Sequence, residues 1–237
     1  MNDCLPQAEA GRQRSPSASA SPELVATFAR ALAEDPDLEH LSVAARRILA
    51  VSAALFSDRG AAATSVRDIT RACGVSPGAL YNHFASRDDV LFELVRHGHA
   101  RLERRIDTAL ATAPEGDPAA RFTTFVRAYL EGHLAQPQLA QVVRREYLHL
   151  SEARRAEIVR RRRALRSRLA RVLRDGCVAG RFDLIDGPRG ATGVAVMVLD
   201  MCSRTSEWYD PNRTDRPERL VERYLTAALR LAGARTG

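Results

Sequence analysis

Four helix starts are legible between Ser42 and Val95, and no stretch of strand-period alternation competes with them, so the chain is constrained to an all-helical fold. From Ser42, apolar Ile48, Val51, Leu55 and Phe56 recur at i, i+3, i+7 and i+8 until Gly60 offers a stop. Ser65 then caps a second, short helix, with Asp68 at the third position of a capping box and Ile69 and Ala72 turned inward, ending at Gly74. Ser76 is a natural N-cap, and Pro77 suits the first helical position because its missing N–H leaves no bond unmade; Ala79, Leu80, Tyr81 and Phe84 follow in a third short helix. Ser86 and Asp89 repeat the capping signature, and Val90, Leu91, Leu94 and Val95 open a longer helix to about Leu110.

Beyond the Pro114–Pro118 break the spacing predicts helices over about 119–135, 138–150, 152–179, 188–208 and 216–232, about nine helices in total. Ahead of the first clear start, Leu24, Val25, Phe28 and Leu32 form a possible extra helix, and residues 1–22 read as a disordered Pro/Ser/Ala tail. The expected division is a tail at 1–22, an extra helix within 23–42, a domain of short capped helices at 43–96 and a larger helical domain at 97–237. Val194 to Met201 is apolar on nearly every face, and Leu220, Val221, Tyr224, Ala228 and Leu231 make a stripe on the last helix. Those two helices suggest a homodimer seam.

Composition narrows the class. Of the 237 residues, 45% are hydrophobic and 27% charged, the balance of a soluble globular protein. No apolar run approaches the roughly 20 residues that span a bilayer, and no leader pattern is present, so a cytoplasmic location and no membrane partner are expected. The net charge is +7, with arginine supplying all 36 basic residues; residues 141–181 carry 13 of them against 4 acids. An acidic partner is thereby plausible. Cys4, Cys73, Cys177 and Cys202 are scattered, and His97 and His99 stand two apart, a spacing that puts them on different helix faces, so neither a disulfide framework nor a metal site is expected. No serine-hydrolase elbow, zinc-protease motif, P-loop or dinucleotide fingerprint occurs. The chain therefore reads as no enzyme, without catalytic residues or cofactor.

Two short helices joined through Ala72, Cys73, Gly74 and Val75 form a helix-turn-helix, whose second helix fits a DNA major groove. Pro77, Gly78 and Ala79 are small enough to let the backbone approach bases, and Asn82 can donate and accept at a base edge. Arg67 is long enough for a guanine edge or a phosphate. Tyr81, His83 and Arg87 suit phosphate oxygens, as do the helix starts carrying Thr64, Ser65 and Ser76. Leu80, Phe84, Ile69 and Val75 are assigned to packing.

The segment from Thr64 to Arg87, TSVRDITRACGVSPGALYNHFASR, resembles the N-terminal domain of the TetR family of transcriptional regulators, and the likeness covers residues 46–95. The resemblance implies that Tyr81, His83 and Arg87 bind phosphates, with Arg87 standing where lysine is usual. It also implies that 43–96 is a helix-turn-helix DNA-binding domain and 97–237 a helical effector-binding and dimerisation domain, which dimerises through its last two long helices and encloses an effector pocket, in a repressor released from a pseudo-palindromic operator in double-stranded DNA. The stretch from Met201 through Trp208 to Pro211 is similar to family members that sense acyl-CoA esters in lipid or steroid catabolism. An acyl-CoA effector would give the arginines between Arg144 and Arg174 phosphates to bind, although the same run also suits a solvated helix, with Glu157 and Arg161 paired at i, i+4. Phe122, Phe125, Tyr129, Tyr147, Met197, Met201 and Trp208 are the candidate pocket lining; the same residues suit core packing. The alternatives are a regulator without small-molecule effector or an activator and, from another class, a nonspecific RNA- or membrane-surface-binding basic helical protein.

Overall fold

The computed structural model describes residues 21–33, 35–210 and 216–234. The elements are α1 (Pro22–Ala33), a 3-10 turn at Pro36–Leu38, α2 (Val43–Arg59), α3 (Val66–Cys73), α4 (Pro77–Tyr81), α5 (Arg87–Ala111), α6 (Pro118–Ala135), α7 (Pro137–Glu146) with a 3-10 turn at Tyr147–His149, α8 (Glu152–Val178), a 3-10 turn at Gly187–Gly190, α9 (Ala191–Ser203), α10 (Thr205–Trp208) and α11 (Pro217–Leu231). Among the described residues there is no strand, only an isolated bridge between Phe182 and Ala234.

The four starts are capped as their sequences dictate: the side chains of Ser42, Ser65, Ser76 and Ser86 accept from the N–H of Ala45, Asp68, Ala79 and Asp89. Each such cap is worth about 1 kcal/mol. The expected extra helix is α1, whose Phe28 and Leu32 are buried against α2. The tail expected at 1–22 lies outside the described residues up to position 20, and its last residue, Pro22, already belongs to α1.

Two apolar cores stack along the molecule. The first gathers Leu49, Leu55 and Phe56 of α2, Ile69, Leu80, Leu91 and Leu94, and it also takes in Leu139, Val142 and Val143 of α7. Each fully buried side chain of this size contributes about 1.5–3 kcal/mol. The second packs Phe122, Phe125 and Leu130 of α6 against Leu165, Leu169 and Leu173 of α8, Val194 and Val198 of α9 and Leu225 of α11. α5 is shared, giving Val90 to Val95 to the first core and Ile106 to the second.

One expected helix changes its bounds. The stretch read over 188–208 is divided into a 3-10 turn, α9 and α10, with Arg204 serving as the C-cap of α9 and the N-cap of α10. Of the stripe on the last helix, Leu220, Val221 and Ala228 are buried in the second core and Tyr224 and Leu231 are half-buried. Met197 of α9, 45% exposed, and Trp208 stand among the exposed large apolar side chains of the protomer, with Val178 and Ile185. The arginine-rich α8 is partly a structural strap, with Arg154 paired to Asp88 (2.9 Å) and Asp89, Arg161 to Glu103 (2.9 Å) and Arg168 to Asp107, all on α5. No helix among the described residues is long and apolar enough to cross a membrane.

Candidate nucleic-acid interface and ligand cavity

α3 and α4 are held at an angle by one turn. Gly74 adopts φ +67°, which a side chain would strain, and its N–H and that of Val75 return to the carbonyls of Arg71 and Thr70. Ile69 and Leu80 are fully buried beneath the pair, so the outward face is left to polar and small groups. On that face Ser65, Arg67, Ser76, Pro77, Gly78, Tyr81, Asn82 and His83 are exposed, and Ala79 is half-buried. Ser42, at the start of α2, comes within 3.5 Å of His83 Nδ1 and adds the exposed Val43 to the same surface. Sequence reading missed that edge; its only signal was the N-cap serine itself.

Several proposed contacts sit differently from the expectation. α4 ends at Tyr81, so Asn82 is its C-cap, at the far end from Pro77 and Gly78, and Phe84 lies beyond it. Thr64 is buried, its hydroxyl donating to the Gly60 carbonyl (2.8 Å), so it is turned away from any phosphate. Arg87 is half-buried and its guanidinium donates to the backbone carbonyls of Ala61 and Thr64, which makes it a tie between α5 and the loop entering α3. Val75, assigned to packing, is 37% exposed at the turn.

A cavity of about 420 Å³ opens between α5, α6, α7, α8 and α9. Its apolar wall includes Leu102, Leu139, Val143, Leu165 and Leu199, and its polar wall Arg101, Arg105, Arg144, Arg162, Arg166, His99, His133 and Ser203. Of the seven residues read as pocket lining, Tyr129 and Tyr147 border it. Phe122 and Phe125 are wholly buried in the second core, Phe122 edge-on to Phe182, while Met201 packs at the core margin and Met197 and Trp208 face outward. Of the cavity histidines, His99 was weighed only as a metal ligand and His133 was missed, yet each follows a glycine, Gly98 before His99 and Gly132 before His133.

Electrostatically the cavity is unbalanced. Arg105 pairs with Glu131 and Arg144 with Glu207, and Arg101 donates to Gln136. Arg162 lies over the Tyr147 ring at 4.7 Å and Arg166 donates to the Arg162 carbonyl; neither has an ion-pair carboxylate among the described residues. Burial, followed by the fields of Arg162 and Arg161, pushes the His99 imidazole down to about 3, and burial pushes His133 down to about 4 against a hydrogen bond with the Tyr129 carbonyl. Both rings are therefore neutral near pH 7 and offer one donor and one acceptor nitrogen. Burial also raises the Cys202 thiol to about 12 and the Cys73 thiol to about 11, so neither presents a reactive thiolate.

Asp35, Asp37 and His97 do bring three metal-type donors within 4.8 Å of one another. Arg104 donates to Asp35 (2.7 Å) and pairs with Asp37, so a guanidinium already neutralises the carboxylates there. His97 is buried beside them, and desolvation lowers its pKa.

The geometry defines a helix-turn-helix protein with an exposed α3–α4 face and a cavity bounded by α5, α6, α7, α8 and α9. Residues 48–94 match the family described as bacterial regulatory proteins, tetR family, and residues 115–232 match the tetracyclin repressor-like C-terminal domain. The HTH-type transcriptional regulator BetI of Rhizobium meliloti is 31% identical over 79% of this chain and 91% of its own. The HTH-type transcriptional repressor KstR2 of Mycolicibacterium smegmatis is 30% identical over 77% and 87%. Among solved structures, a tetR-family regulatory protein from Rhodococcus RHA1 superposes with a TM-score of 0.75 at 28% identity, covering 82% of this chain and all of the other. This chain belongs to the TetR family of transcriptional regulators. It is a DNA-binding protein of an all-α, non-enzymatic class.

Proposed function

We propose that the protein is a ligand-released repressor that binds a pseudo-palindromic operator as a homodimer. The observation that carries the DNA part is the exposed face of α3, its turn and α4. Arg67, Pro77, Gly78, Ala79 and Asn82 are assigned to bases, and Ser65, Ser76, Tyr81 and His83 to phosphates. Arg87 and Thr64 act through the loop they fix. Two such faces about one DNA turn apart (~34 Å) would read the two half-sites. The seam is assigned to α9, α10 and α11, where Met197 and Trp208 stay exposed on the protomer and Trp208 stacks near Tyr224 at 6.5 Å. An apolar methionine and tryptophan left at one end suit a second copy of the same surface.

The effector is assigned to the acyl-CoA esters. Arg162 and Arg166 supply two guanidinium groups without carboxylates, suited to phosphate, and the leucine- and valine-lined wall suits an acyl chain. Neutral His99 can donate to a thioester carbonyl, whereas His133, whose Nδ1–H is given to the Tyr129 carbonyl, offers only an acceptor at Nε2. The relative named a repressor supports the sign of regulation. Selection of bound sequences from random duplex DNA, with and without a panel of acyl-CoA esters, tests both parts. A palindromic motif lost with one ester is the expected result. A motif insensitive to every ester removes the effector assignment, and no enriched motif removes the operator.

A further inference from the structure

The cavity wall and the loop that positions the DNA face are joined by α7, and we propose that this joint is a two-contact linkage: Val143 seated on Gly98 senses the width of the cavity, and Glu146 bonded to Ala61 transmits it. The inference rests on the cavity and DNA readings above and concerns how one reaches the other.

Gly98 on α5 and Val143 on α7 both line the cavity. A Cβ placed on Gly98 would stand 2.4 Å from Val143 Cγ2, so the two helices touch only because one carries no side chain there. One helical turn further along α7, the buried Glu146 accepts a hydrogen bond from the Ala61 N–H at 2.6 Å. That carboxylate–amide bond is of the stronger, charge-assisted kind and is shielded from water. Ala61 follows Gly60, whose φ of +83° turns the chain at the end of α2. The carbonyls of Ala61 and Thr64 are in turn held by Arg87, and the next residue, Ser65, caps α3. Five steps of direct contact thus run from the cavity wall to the first turn of the helix-turn-helix. α7 is anchored on the same side by Val142 and Leu139 in the first core, so a shift at Val143 is felt there rather than absorbed by a loose segment. An occupant that parts α5 from α7 withdraws Glu146 from Ala61, frees the Gly60–Thr64 loop and unsettles α3.

Gly98→Ala imitates the occupant with no ligand required. In the full-length protein, amide hydrogen exchange at Ala61 should quicken about tenfold, and affinity for the duplex enriched in the selection above should fall by about the same factor. Adding Val143→Ala, which makes room for the new methyl, should restore both. In a Glu146→Gln background Gly98→Ala should add little to either. Val143→Ile inserts a smaller wedge into the same contact and gives the same sign if Gly98→Ala does not fold, as judged by circular dichroism. Unchanged exchange in both wedge variants overturns the linkage; altered affinity with unchanged Ala61 exchange overturns the part given to Glu146. Absence of any enriched duplex fails the operator reading alone, because the exchange measurement still decides the linkage.

Discussion

At the scale of single residues, the proposed contacts of the α3–α4 face divide into groups assigned to specify and groups assigned to position. Asn82→Ala should change base preference at one operator position by roughly 1–3 kcal/mol, read by competition among single-base variants, whereas Tyr81→Phe should weaken all sequences alike. Uniform weakening by Asn82→Ala would remove this C-cap residue of α4 from the bases. The cavity histidines make a separate prediction about pH. Their folded pKa values, about 3 for His99 and about 4 for His133, lie below the ordinary value of 6.5, so between those limits the unfolded chain binds more protons than the folded one. Their contribution to stability is whole above pH 6.5 and is lost as pH falls toward 4 and 3, at up to about 1.4 kcal/mol per pH unit for each ring. Thermal melts between pH 7 and pH 4.5 should show this fall, and His133→Asn should flatten it; an unchanged slope would mean the ring is not buried neutral. The helix-turn-helix geometry was legible because its residues lie within one short segment whose caps and turn are local chemistry. The cavity was not, because it is assembled from five helices and because large aromatic side chains such as Phe122 are the first to be used as core.

At the scale of elements, local signals placed starts better than ends. Ser42, Ser65, Ser76 and Ser86 fix where helices begin through side-chain bonds that sequence spacing reveals. α4 stops after five residues because its close is decided by how Phe84 drops into the core, a tertiary matter. The last helix shows the same limit: its stripe is apolar, and periodicity alone does not divide it between α6 and α9 of its own chain and a second copy. The turn between α3 and α4 is the element most exposed to a single change. Gly74→Ala places a side chain at φ +67° and should cost about 1 kcal/mol or more of unfolding free energy in urea titration, without altering helix content. A neutral result would show that the turn relaxes.

At the scale of the whole molecule, association is the first property to measure. Met197→Glu puts a charge on the proposed seam at a position that is 45% exposed on the protomer, so it should dissociate the dimer with little loss of protomer stability. Sedimentation at micromolar concentration checks this, and a dimer that survives would move the seam away from α9. The basic excess in 141–181 belongs to this scale as well, since three of its arginines, Arg154, Arg161 and Arg168, are answered by acids of α5. That α5 is a single 25-residue helix, rooted in both cores, has a mechanical meaning. A rod of about 37 Å cannot bend like a linker. The two ends of this protein share one stiff beam, so a tilt of about 3° at the cavity swings the far tip by about 2 Å, of the order of the sub-turn helix displacements known to carry switching.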